Sequence, residues 1–195
     1  MTEEQREFYT QHIRERLSDY RFKHSVNVSR EAVRLARKYG ADETKAELAG
    51  LLHDVMKDVG KKEQLAIIEK YGVTLNEVEL QAPKLWHAIA GAVYVRKELK
   101  IGDKDIVNAV RYHTTARAGM SLLEKIIYIA DYTSEERDYK GVEKMRKACN
   151  ISLECAMEEA LAFGIAVRVE EYTAIHPDTF AAYNEIVLAK SEKKK

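Results

Sequence analysis

The chain has 195 residues, enough for one domain with a sizeable core, and its 32 Lys and Arg balance 32 Asp and Glu. That balance excludes the basic excess of a general nucleic-acid binder. Nine glycines and two prolines are too few for the frequent turns of a β-rich fold, and no apolar run approaches the roughly 20 residues of a membrane span.

The periodicity is helical along nearly the whole chain. The first predicted helix covers residues 3–17, with Tyr9, Ile13 and Leu17 on one stripe, and the second covers 20–39, closed by Gly40. Further helices are predicted at 42–55, 61–71, 84–99 and 103–113. Ser121 with Glu124 reads as a capping box that opens a helix running to Tyr132. A polar loop at 133–140 separates it from helices at 142–148 and 151–172, and Pro177 starts a last one. The expectation is an all-α, single domain over 1–190, with a core at 20–135, C-terminal helices at 140–190 and a charged, frayed tail at 191–195. Cys149 and Cys155 are not a CxxC pair and read as reduced core residues. The charged start MTEEQREFYTQ has no signal core, so a cytoplasmic location is expected.

Polar residues on the core stripes are the informative feature. His24 shares a stripe with Val28 and Leu35, and His53 follows Ala46, Ala49 and Gly50. His87 sits with Ala90, Gly91 and Tyr94, and His113 ends the stripe of Ile106 and Val110. Asp131 continues Leu123 and Ile127, and Asp54 adjoins His53. One histidine on an apolar face is ordinarily a core residue bonded to a carbonyl. Two buried carboxylates beside four imidazoles are costly unless paired or bound to a cation. The donor set lacks thiolate, which suits iron, manganese, zinc or nickel. Its long spacings fit a bundle in which each helix sends one ligand inward.

His24, the adjacent pair His53–Asp54, and Asp131 resemble the H…HD…D signature of HD-domain metal-dependent phosphohydrolases. Local context extends the resemblance: RFKHS at 21–25, LLHDVMKD at 51–58, LWHAIAGA at 85–92, YHTTARAGM at 112–120 and EKIIYIADYTSEER at 124–137. This set is similar to the bacterial YqeK family of symmetrical dinucleoside-tetraphosphate hydrolases. Ala116, where a glycine is commoner, is a minor departure.

The resemblance implies an HD helical bundle that hydrolyses diadenosine tetraphosphate to two ADP. It implies His24, His53, Asp54 and Asp131 as ligands of a divalent ion, iron first, manganese or another transition ion as alternatives. His87 and His113 either hold a second ion, with Asp54 bridging, or face the phosphates around a single ion. Asp54 and Lys57 are the candidate catalytic residues, and Lys57 lies one turn beyond His53–Asp54. Arg21, Lys57, Arg117 and Arg137 are candidate phosphate contacts, joined by His87 and His113. His12 and His176 read as structural or surface residues, and Trp86 as packing. The expected partner is a nucleotide, with no nucleic acid or membrane, and a homodimer is plausible. Rival readings are a nucleotide phosphatase or cyclic-nucleotide phosphodiesterase, and a non-catalytic nucleotide-binding regulatory domain. No GxxxxGK[ST], GxGxxG or GxSxG motif is present.

Overall fold

Short polar side chains set the helix starts. The computed structural model describes residues 1–192, and α1 (Glu3–Arg16) opens on a capping box between Thr2 and Gln5. Asp42 caps α3 (Glu43–Leu52), Asp103 caps α7 (Lys104–Tyr112), and Ser121 caps α8 (Leu122–Thr133). Helix α2 (Asp19–Tyr39) stops at Gly40, whose φ of 75° is a left-handed cap. The other helices are α4 (Lys61–Lys70), α5 (Glu77–Gln81), α6 (Trp86–Lys97), α9 (Val142–Ile151), α10 (Leu153–Glu170) and α11 (Pro177–Glu192). No strand occurs among the described residues, and no helix among them is long and apolar enough to cross a membrane.

Helices α2, α3, α6, α7 and α8 pack on one another around a core that includes Val28, Leu35, Leu52, Ile89, Val110 and Ile127. The apolar core runs on from Ile13 of α1 to Ala182 of α11, with α9 and α10 packed against α8. The small stripe of α3 brings it unusually close to α2. A Cβ on Gly50 would stand 2.7 Å from the Ser29 Cα, a contact that no side chain tolerates.

Several boundaries differ from those the sequence predicts. Helix α3 ends at Leu52 instead of 55, and residues 53–58 continue as tight turns, with Val55 N–H on the Leu52 carbonyl and Lys57 N–H on that of Asp54. Five-residue α5 has no apolar periodicity and falls in a stretch the sequence leaves unassigned. The helix predicted from residue 84 begins as a 3-10 turn, Pro83–Leu85, before α6. Helix α9 runs on to Ile151, and Ser152 (φ −162°) breaks the chain extended and caps α10 through the Cys155 N–H. At Ser121 the box is half made. The Ser121 hydroxyl accepts from the Glu124 N–H, but the Glu124 carboxylate turns to Arg117. Of the charged tail at 191–195, residues 193–195 lie outside the described residues.

Candidate metal centre and active site

The six inward polar residues meet in one place. His24 comes from α2, His53 and Asp54 from the end of α3, His87 from α6, His113 from the end of α7 and Asp131 from α8. The four imidazoles and Asp54 are buried, and Asp131 is partly open to solvent. His24 Nε2 lies 3.2 Å from His53 Nε2 and 3.1 Å from Asp131 Oδ1. His87 Nε2 and His113 Nε2 are 3.3 Å apart, and Asp54 Oδ1 lies 3.2 and 3.4 Å from them. Two overlapping triads result, His24–His53–Asp131 and His53–Asp54–His113, each with ligand atoms within 4.8 Å of one another.

The backbone sets the ring tautomers. His53 Nδ1 donates to the Gly50 carbonyl at 2.7 Å, His87 Nδ1 to that of Lys84 at 2.7 Å, and His113 Nδ1 to that of Val110 at 2.8 Å. Each neutral ring therefore aims an Nε2 lone pair at the cluster. Burial pushes His53 down to about 3 and His87 to about 4, so both are neutral at pH 7. Burial also opposes charge on His24, but the hydrogen bonds it donates to Asp131 and Glu136 outweigh it and raise this ring to about 9.

These groups fit a divalent cation. Asp54 Oδ1 is a buried carboxylate oxygen with no hydrogen-bond donor, and the Nε2 atoms of His87 and His113 that face it are acceptors too. Acceptors converging without protons between them require a positive charge there. Burial works against the Asp54 carboxylate, yet the Lys57 ammonium beside it favours its charged form. A neutral Nε2 has one lone pair and serves one ion, whereas the two oxygens of Asp54 can serve two. A proton on His24 must leave for its Nε2 to become a ligand, so cation binding there is linked to pH.

Three of the four candidate basic residues lie at the cluster. Lys57 Nζ donates to His87 Nε2 at 3.0 Å and stands 3.7 Å from Asp54 Oδ1. Arg21 reaches Asp54 Oδ2 at 3.4 Å. Arg137 pairs with Asp131 and donates to the Asp131 carbonyl at 2.7 Å. Arg117 is a correction: it binds Glu124 at 2.7 Å and the Ala118 carbonyl at 3.1 Å, lies over Tyr112, and touches none of the six. The buried Glu124 side chain claims it.

Glu136 is the residue that sequence reading missed. Its carboxylate accepts from His24 Nδ1, from Asn27 Nδ2 at 2.7 Å and from the Ser134 hydroxyl at 2.8 Å. It performs for His24 the service that main-chain carbonyls perform for the other rings. Arg146 holds the loop beneath it, donating to the carbonyls of Thr133, Ser134, Glu135 and Arg137. The only available signal was a second acid in TSEER, which carries no period. The bland residues lie as expected: His12 bonds Tyr94, His176 is buried beside Asn76 and Glu79, and the Trp86 indole donates to the Glu79 carbonyl.

Comparison with known proteins adds a family and relatives. The HD domain model matches residues 21–136. A Halalkalibacterium halodurans protein named bis(5'-nucleosyl)-tetraphosphatase, symmetrical, is 39% identical over 176 residues, covering 90% of this chain and 94% of its own. A Bacillus subtilis protein of the same name is 37% identical over 175 residues, with the same shares. A Clostridium acetobutylicum crystal structure, described as a predicted HD superfamily hydrolase involved in NAD metabolism, superposes with a TM-score of 0.91. It is 36% identical, with 94% of this chain and 97% of that one covered.

Proposed function

This chain belongs to the HD-domain family, and from that membership we propose that it hydrolyses diadenosine tetraphosphate symmetrically to two ADP. Relatives named for that activity align along nine-tenths of the chain. The observation that carries the reading is the buried, donorless Asp54 Oδ1 facing acceptor nitrogens, with Lys57, Arg21 and Arg137 around it.

His24, His53, Asp54 and Asp131 are proposed as ligands of a divalent cation, iron first and manganese next, because the donors are nitrogen and oxygen without thiolate. Bound there, such a cation polarises a phosphoryl oxygen and acidifies water. Lys57 and Arg137 neutralise the phosphates, and Arg21 adds a third positive charge beside Asp54. Lys57 is held by His87, so its ammonium is placed before substrate arrives. With Nδ1 protonated toward the backbone, neutral His87 and His113 accept at Nε2. That favours a cation, Lys57 or a water opposite them over donation to a phosphate. Clasping one nucleoside diphosphate half fixes which anhydride is cut, and ADP leaves from both halves.

Protein purified without added metal should carry a transition ion and convert diadenosine tetraphosphate to ADP alone, resolved by ion exchange. Equal AMP and ATP would overturn the symmetric register. Dephosphorylation of mononucleotides with no dinucleotide turnover would favour the phosphatase reading, and binding without any turnover the regulatory one.

A further inference from the structure

Cations stand on two sides of the cluster. Arg137 lies on the side of His24 and Asp131, and Lys57 on the side of His87. Arg21 sits at the second oxygen of Asp54. A tetraphosphate bridge likewise has two diphosphate halves. Cutting its central bond adds the oxygen of water to one half. The other half leaves with the bridging oxygen and its electron pair, so negative charge grows on the departing diphosphate. Cations are therefore needed beyond the cut as well as before it.

The row of positive charge continues past Lys57. The turn that carries Asp54 and Lys57 feeds into α4, whose first two residues are Lys61 and Lys62. Lys61 is not a free surface chain. Its ammonium donates to Gln64 Oε1 at 3.1 Å, and Gln64 is fully buried. The Gln64 amide nitrogen in turn donates to the Met56 and Val59 carbonyls, each at 2.8 Å. One buried glutamine thus ties the turn that bears Asp54 and Lys57 to the side chain of Lys61.

Holding a lysine still is unfavourable, because its stem loses rotamer freedom. An ion pair would offset that loss, yet among the described residues no carboxylate pairs with Lys61. Burial and the Lys57 charge both push its ammonium down, with no acid to oppose them. Asp58, in the same turn, is taken by the Ser18 N–H and hydroxyl at 2.8 and 2.7 Å. Two ammonium groups that feel each other's charge, one anchored and neither neutralised by the other's surroundings, suit a polyphosphate running past both. Lys62 differs: it is exposed and makes no side-chain bond among the described residues.

We propose that Lys61, positioned by Gln64, binds the departing diphosphate half of the substrate, with Lys57 at the phosphate next to the cut and Lys61 at the one beyond. The proposal rests on the hydrolase reading above. It gives each half its own cations, Arg137 on one side and Lys57 with Lys61 on the other. Lys61 thereby becomes a specificity-determining residue for a four-phosphate bridge.

The test is steady-state hydrolysis of diadenosine tetraphosphate by the metal-loaded protein and by Lys61→Gln, Lys61→Arg and Lys62→Gln, with ADP as product inhibitor. In Lys61→Gln, kcat/KM should fall roughly tenfold, the loss of one charge-assisted contact. Lys61→Arg should recover most of it and Lys62→Gln should match wild type. Inhibition by ADP, which fills the half beside Arg137, should be unchanged in Lys61→Gln, as should its metal content and melting profile. An unaltered kcat/KM in Lys61→Gln overturns the proposal. So does an equal loss in Lys62→Gln, which would mark a diffuse surface field, or a parallel weakening of ADP inhibition. Wild-type turnover that ignores Lys61 leaves the hydrolase reading standing, whereas absence of wild-type turnover sinks that reading and the proposal with it.

Discussion

Asp54 and Glu79 are both buried acids, 2% and 3% exposed, and they are treated in opposite ways. Every group around Glu79 answers another. Its carboxylate takes Arg111 and the Asn76 N–H (2.9 Å), its own N–H donates to Asn76 Oδ1 at 2.9 Å, and His176 stands at 3.4 Å. His176 in turn accepts the Asp178 N–H at 3.1 Å. The network ties α5 to α7 and to the first turn of α11. Around Asp54, by contrast, acceptors face acceptors and Oδ1 has no donor. A satisfied buried network supports a fold, whereas an unsatisfied one is held ready for something else.

The largest effect that would break this contrast is at Asp54. Asp54→Asn should lower turnover of diadenosine tetraphosphate by roughly 10²–10³-fold or more, with bound metal lost and the urea midpoint unchanged or raised. A normal rate or a collapsed midpoint would make the two acids alike. Glu79→Gln should do the opposite, lowering unfolding free energy by about 3 kcal/mol because Arg111 is left without its partner, while the kinetics of the folded protein hold.

A pH series sharpens that prediction. Burial opposes ionisation of Glu79, but the Asn76 amide and Arg111 outweigh it and set its carboxyl below the ordinary 4.5. A depressed acid stabilises the fold above its unfolded value and loses that contribution as pH falls through its folded value. The gap between wild type and Glu79→Gln should therefore be flat from 4.5 to neutrality and close on further acidification. A gap that persists at low pH would mean the carboxylate charge is not what matters. The smallest effect is at Glu136. Glu136→Gln should weaken metal binding or turnover by roughly tenfold, since it loosens the hold on His24 without removing a ligand. Metal titration checks it, and an unchanged affinity would leave Glu136 a structural acid of the loop.

The helical core could be read from the sequence because its apolar period is strong and its inward polar residues interrupt that period. The gathering of His24, His53, Asp54, His87, His113 and Asp131 followed from the same interruption. What escaped has no period to interrupt. Helix α5 is a single capped turn and a half, and Glu136 sits in a loop where only Asn27, Ser134 and the ring of His24 give it direction. Arg117 misled because its partner is decided by folding. Glu124 reads as a capping acid, yet its burial demands a cation more than the cap demands a second bond.

Three of the four imidazoles take their orientation from main-chain oxygens at positions 50, 84 and 110. A carbonyl is present whatever side chain its residue bears. Substitution at 84 or 110 therefore leaves the bond that aims the ring in place, whereas position 50 is fixed as glycine by its contact with Ser29. His24 enjoys no such insurance. Its Nδ1 is held by one carboxylate 112 positions away in the chain, and a single codon change there loosens that hold.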